Sequence, residues 1–103
     1  MKHDLTPSQR LWIEVFGVYG LPRLDERKVL DIVAQLPQRQ AQAVRLRFGF
    51  KGSPITYEEL RRVLFRLDGR GSVSRETARL EIKKALRDLR RPKWKQQWET
   101  AKK

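Results

Sequence analysis

The side chains best suited to chemistry lie on one regular stretch, Val73 to Arg91, V-S-R-E-T-A-R-L-E-I-K-K-A-L-R-D-L-R-R. The chemistry they offer is non-covalent: guanidinium and ammonium groups donate to phosphate oxygens and to base edges. Ser74 is a good N-cap and no Gly or Pro follows it until Pro92, so the stretch predicts a helix beginning at Arg75. Ala78, Ile82, Ala85, Leu86 and Leu89 recur at spacings of three and four, giving one apolar stripe. Glu76, Arg79, Lys83 and Arg87 occupy the other face. Such a helix suits a major groove, with Arg75 and Glu76 early enough to reach base edges while Lys84, Arg87 and the Ser74 cap meet the backbone. A solvated charged face on an ordinary bundle helix is the alternative.

The elements that would carry this helix can be read in order. Thr6-Pro7 is an N-cap followed by proline at the first helical position, and the helix it opens runs to about Tyr19. Trp12, Val15, Phe16 and Tyr19 then share a face, with Leu11, Ile13 and Val18 off it. This stripe packs a core or forms a docking groove for a partner's apolar side chains. A second helix spans about Asp25 to Leu36, with Val29, Ile32, Val33 and Leu36 inward. Pro37 stops it and opens a third, Gln38 to Phe48, with Ala41, Val44 and Phe48 inward and Gly49 as its C-cap. Thr56 and Glu59 form a capping box for a fourth helix, whose stripe is Leu60, Val63, Leu64 and Leu67. Asp68-Gly69-Arg70-Gly71-Ser72 is a flexible turn into the basic helix. Beyond Pro92, Trp94 and Trp98 stand one helical turn apart in a basic tail and either fold back onto the core or stack on a partner. The expectation is an all-α fold of four to five short helices in one domain, residues 1–92, with a helix-turn-helix at about 56–91 and a tail at 93–103.

At 103 residues and 39% hydrophobic the chain can support one modest core. It has no cysteine, and its single histidine, His3, lies at the frayed N-terminus, so no metal site is expected. No nucleophile–base constellation or phosphate-cradling glycine loop is present, and neither an enzyme, a cofactor nor a small-molecule substrate is expected. The chain begins with Met and shows no signal-peptide core and no apolar run of membrane-spanning length, which points to a cytoplasmic protein. Residues 1–36 hold five Lys/Arg and five Asp/Glu. Residues 37–103 hold nineteen against seven, so the whole net charge of +12 lies there. A neutral front and a basic back imply two surfaces, the back one facing a polyanion. Nucleic acid fits better than an anionic membrane, because the basic segments lack the broad apolar face of an interfacial helix.

Three stretches carry a family resemblance. L-P-Q-R-Q-A-Q-A-V-R-L-R-F-G-F (Leu36–Phe50), T-Y-E-E-L (Thr56–Leu60), and V-S-R-E-x-x-R with K-A-L-R-D-L-R-R-P (to Pro92) closely resemble region 4 of the bacterial primary sigma factors, over roughly residues 25–92. The resemblance implies recognition of a promoter −35 element in double-stranded DNA by the second motif helix. It also implies a grip on the flap of the RNA polymerase β subunit through an apolar pocket of the earlier helices. By the same resemblance Arg75, Glu76 and Arg79 fall at base-reading positions, together with Leu80, where the family has a base-contacting glutamine, and Lys83. Arg39, Arg45, Arg47 and Glu59 fall at the DNA backbone and the start of the first motif helix. Phe16, Val29, Ile32, Val33 and Leu36, in the neutral, apolar front, are the residues expected to bind the partner. The sequence departs from the family in about seven extra residues between Leu60 and Val73, in Arg61 where the family keeps a small residue, and in the order Glu81-Ile82. The upstream sigma region that melts the −10 element has no room here, so a second protein would carry the missing sigma regions.

Overall fold

The computed structural model describes residues 5–17, 19–68 and 74–103. Of the expected turn Asp68–Ser72, Asp68 is the last residue of the fourth helix and the remainder lies outside the described residues, as do His3, Val18, Val73 and the side chain of Leu67. Among the described residues the chain is all-α: α1 (Pro7–Phe16), α2 (Glu26–Val33), α3 (Gln38–Arg47), α4 (Tyr57–Asp68), α5 (Arg75–Leu89), a 3₁₀ turn (Pro92–Trp94) and α6 (Lys95–Ala101). Among the described residues no helix is long and apolar enough to cross a membrane.

Side-chain caps set most of the helix starts. Thr6 accepts from the Gln9 N–H at 3.1 Å while its own N–H donates to Gln9 Oε1. Thr56 and Glu59 form the same reciprocal pair at 3.1 and 3.0 Å, and Asp25 accepts from Arg27 and Lys28. Asp25 is therefore the cap of α2 and lies outside the helix. α3 ends in a Schellman motif: the Phe50 N–H donates to Arg45 O at 2.9 Å and the Gly49 N–H to Leu46 O at 3.3 Å, with Gly49 at φ +86°.

α5 is the central element, packed against α3, α4 and α1. Its Ala78, Ile82, Ala85 and Leu89 are buried, with Leu86 half-buried beside them. They meet Leu60 and Leu64 of α4, Ala41, Ala43 and Val44 of α3, and the α1–α2 residues Leu11, Val15, Val29, Ile32 and Val33 in one core. The small residues Ala78 and Ala85 let neighbouring helices approach α5 closely.

The first helix is shorter than expected and differently phased. Gly17, at φ +97°, ψ 176°, ends α1 three residues before Tyr19, in a conformation that only glycine adopts freely. Tyr19 is accordingly 93% exposed, and the buried face is Ser8, Leu11, Trp12 and Val15, with Phe16 at its edge.

The C-terminal segment is a full member of the fold. Trp94, Trp98 and Ala101 are buried, α6 packs on α2, and the Trp98 indole donates to Leu89 O at 3.0 Å. Leu24 and Lys102 form an antiparallel bridge, with the Asp25 N–H on Ala101 O at 2.8 Å and the Lys103 N–H on Arg23 O at 2.9 Å. Of the two fates expected for the tryptophans, the structure shows folding back onto the core.

Candidate nucleic-acid interface

The start of α5 is built by its own side chains. Ser74 Oγ accepts from the Thr77 N–H at 3.0 Å, so the oxygen expected against a phosphate serves the cap. Arg75 and Glu76 follow in the exposed first turn, where a carboxylate also suits the positive helix end. One turn on, Arg79 grips Glu76 through both arms of its guanidinium, Nε to Oε1 at 3.0 Å and Nη2 to Oε2. Two of the five expected base-reading residues are thus bonded to each other. Leu80 is 42% exposed, and Lys83, Lys84 and Arg87 are exposed beyond it. One side of α5 therefore presents a mixed first turn followed by cations.

Neighbouring helices wall this side. Thr56, Tyr57 and Glu58 at the start of α4 face Arg75, Glu76 and Arg79 across a shallow groove. A second depression continues along α5 past Lys83, Arg87 and Arg90, with Tyr57 on one wall and Glu14 of α1 on the other. Tyr57 and Arg90 are additions to the expected set. Arg90 follows Arg87 at a helical step of three and was legible in the sequence, whereas Tyr57 stood there only as part of the T-Y-E-E-L stretch after the Thr56 cap. Arg90 Nε also donates to Val15 O at 2.8 Å, satisfying a carbonyl of the last turn of α1.

The residues expected at the DNA backbone are mostly occupied within the fold. Arg39 Nε lies 3.1 Å from Glu81 Oε2, joining α3 to α5. Arg47 donates to Ile55 O at 2.8 Å and lies 4.2 Å over the Tyr57 ring, so it spans the α3–α4 loop. Glu59 is spent on the α4 cap, and a carboxylate there repels phosphate. Arg45 is half-exposed in the last turn of α3, where a cation offsets the helix dipole. Of the expected partner surface, Val29, Ile32, Val33 and Leu36 are core residues, since the face they share is the one α2 buries. Only Phe16, 42% exposed, remains available to a partner.

Comparison of the chain with family models, with curated proteins and with solved structures returned no match. Among the described residues no group of His, Cys, Asp or Glu is arranged to hold a metal ion.

Three carboxylates at these helix starts are held below their ordinary value of 4.5: Glu76 by its hydrogen bond from Arg79, Glu58 by that from Arg61, and Glu59 by the Thr56 N–H. Their folded values lie below the unfolded one. The stability they contribute is therefore complete above about 4.5 and lost as pH falls through the folded values. A carbon-13 titration should find all three ionising below 4.5, and Arg79→Ala should return Glu76 toward its ordinary value. A Glu76 that titrates identically in both proteins would rule out the fork geometry in solution.

Proposed function

We propose that this chain acts as a sigma region 4-like transcription regulator. It holds promoter DNA through a helix-turn-helix formed by α4 and α5, and RNA polymerase, at the β flap, through the front of the molecule. What carries the reading is the exposed side of α5. It opposes the buried Ala78–Ile82–Ala85–Leu89 stripe, offers Arg75 in the first turn and Lys83, Lys84 and Arg87 beyond it, and belongs to the half of the chain that holds all the net charge. The groove between the starts of α4 and α5 provides a seat for one DNA strand beside the reading turn. No enzymatic step belongs to this reading.

A second reading is favoured by the Glu76–Arg79 pair and by exposed Leu80: a sigma-region mimic that occupies the polymerase, or a sigma-type partner, and touches DNA only through charge. A pull-down with RNA polymerase, with and without promoter DNA, tests both against a repressor unconnected with polymerase. Binding without DNA supports either sigma-like reading, and protection of a −35-like site supports the first.

Selection on randomised duplexes at one fixed salt separates reading from holding. A bidentate arginine–guanine contact is worth ~1–3 kcal/mol of discrimination. Arg75→Ala should therefore weaken a preferred site by about ten- to a hundredfold, while nonspecific affinity loses only one charge. Leu80→Gln should move the preference toward the family's −35 sequence. One flat profile for wild type and both variants would reject a reading role for α5.

A further inference from the structure

The end of the molecule away from the α5 N-terminus carries a further groove, which shares only Arg90 with the depression along α5. Its floor is aromatic: Phe16 closes α1 with its ring centroid 4.4 Å from that of Trp12 and 5.4 Å from that of Trp98. Phe16 is 42% exposed, where a core aromatic would be covered. The rim is cationic, with Arg90, Arg91, Lys95 and Lys102 around a single carboxylate, Glu99. Glu99 is itself paired with Lys102 at 2.9 Å. α1 and α6, which build most of this groove, lie outside residues 25–92, the span of the sigma resemblance.

We infer that this groove docks an acidic segment of a partner protein, seating an apolar side chain against Phe16 while flanking Asp or Glu residues meet the rim. The inference rests on the division of the molecule into a DNA surface and a partner surface, and does not require the partner to be RNA polymerase. Two observations select the occupant. The rim's excess of cations complements carboxylates, and exposed pairs such as Lys102–Glu99 and Arg91–Asp88 are weak enough to open for an incoming acid. The floor also has the wrong form for nucleic acid. Trp12 and Trp98 meet edge to face at 84° and are 8% and 2% exposed, so no indole face is open for a base to stack on. A half-covered phenyl edge accepts a leucine or phenylalanine side chain instead.

The test is fluorescence anisotropy of the full chain with a labelled synthetic peptide carrying central Leu and Phe residues flanked by Asp and Glu. The expected result is saturable binding that weakens about tenfold or more when the acids become Asn and Gln, or when Leu and Phe become Ser. Phe16→Ser and Lys95→Glu should each weaken the acidic peptide by about tenfold as well. Lys95 is exposed on the rim, so its variant keeps the test valid if Phe16→Ser loosens the fold. Equal affinity for the neutral peptide, no effect of Lys95→Glu, or displacement of the acidic peptide by oligothymidylate would each overturn the proposal. Duplex affinity and polymerase capture, measured on the same samples, separate such a failure from failure of the wider reading.

Discussion

Trp98→Ala should lower the stability of the whole fold by about 3–5 kcal/mol, the range for emptying a buried aromatic site. At roughly 4 °C per kcal/mol for a domain of this size, Tm should fall by about 12–20 °C. Trp98 is 2% exposed, meets Trp12 and Phe16 edge to face, and its indole N–H donates to Leu89 O at the end of α5. Removing the ring therefore empties the junction of α1, α5 and α6 and frees a terminal carbonyl of the central helix. Trp98→Phe isolates the second part: it keeps most of the ring and deletes the donor, for about 1–2 kcal/mol. Trp94 gives the contrast. Its buried Nε1 has no hydrogen-bond partner among the described residues, so Trp94→Phe should cost clearly less than Trp98→Phe. The measurement is thermal and urea unfolding of the three variants. A Trp98→Ala protein that melts with wild type would mean that α6 is a loose tail after all.

The local grammar of the chain was readable where a side chain stands beside the backbone group it satisfies. Ser74, Thr56 with Glu59, and Thr6-Pro7 each mark a helix start, and the three-and-four spacing of Ala78, Ile82, Ala85 and Leu89 marked the buried stripe of α5. α1 shows the limit of such reading. Periodicity gives a phase only once the end of the helix is known, and taking the helix to Tyr19 tilted the expected face toward Phe16 and Tyr19. The stop was present in Gly17, but a glycine inside an apolar pattern does not declare whether it will be passed through or will break the helix.

Candidate site residues were less legible, because a cation looks the same in sequence whether it faces solvent or a distant carboxylate. Arg39 finds Glu81 across two helices, and Arg47 finds a loop carbonyl and the Tyr57 ring. Those partners are set by tertiary packing, which no local spacing encodes. For α2 two expectations diverge: helical spacing put Val29, Ile32, Val33 and Leu36 inward, as the packing has them, whereas the partner-binding role expected of them would need them at a surface. Exposed positions on α5 were easier to place, since the helix phase alone puts Lys83, Lys84 and Arg87 opposite the buried stripe.

Gly49→Ala should cost about 2–5 kcal/mol, more than any other single methyl added at the described glycines, for two separable reasons. Gly49 sits at φ +86°, where an L side chain meets its own backbone at a cost of roughly 1–2 kcal/mol. A Cβ there would also lie 2.9 Å from Gly52 O and 3.0 Å from Pro54 Cδ, and overpacking against a backbone carbonyl and a proline ring costs about 1–3 kcal/mol more. Gly20 is the control for the first part: at φ +65° it has the same handedness and nothing within 4 Å of an added methyl, so Gly20→Ala should show only the conformational cost. The difference between the two variants in urea unfolding measures how tightly the loop from Gly49 to Pro54 is closed. That loop also governs the candidate interface, because Arg47 reaches across it to Ile55 O and holds Tyr57, which walls both grooves along α5. Gly49→Ala protein, assayed where it remains folded, should therefore also lose DNA affinity relative to Gly20→Ala. Equal stability losses in the two variants would show that Pro54 and Gly52 yield to the methyl, and that the loop does not hold Tyr57 in place.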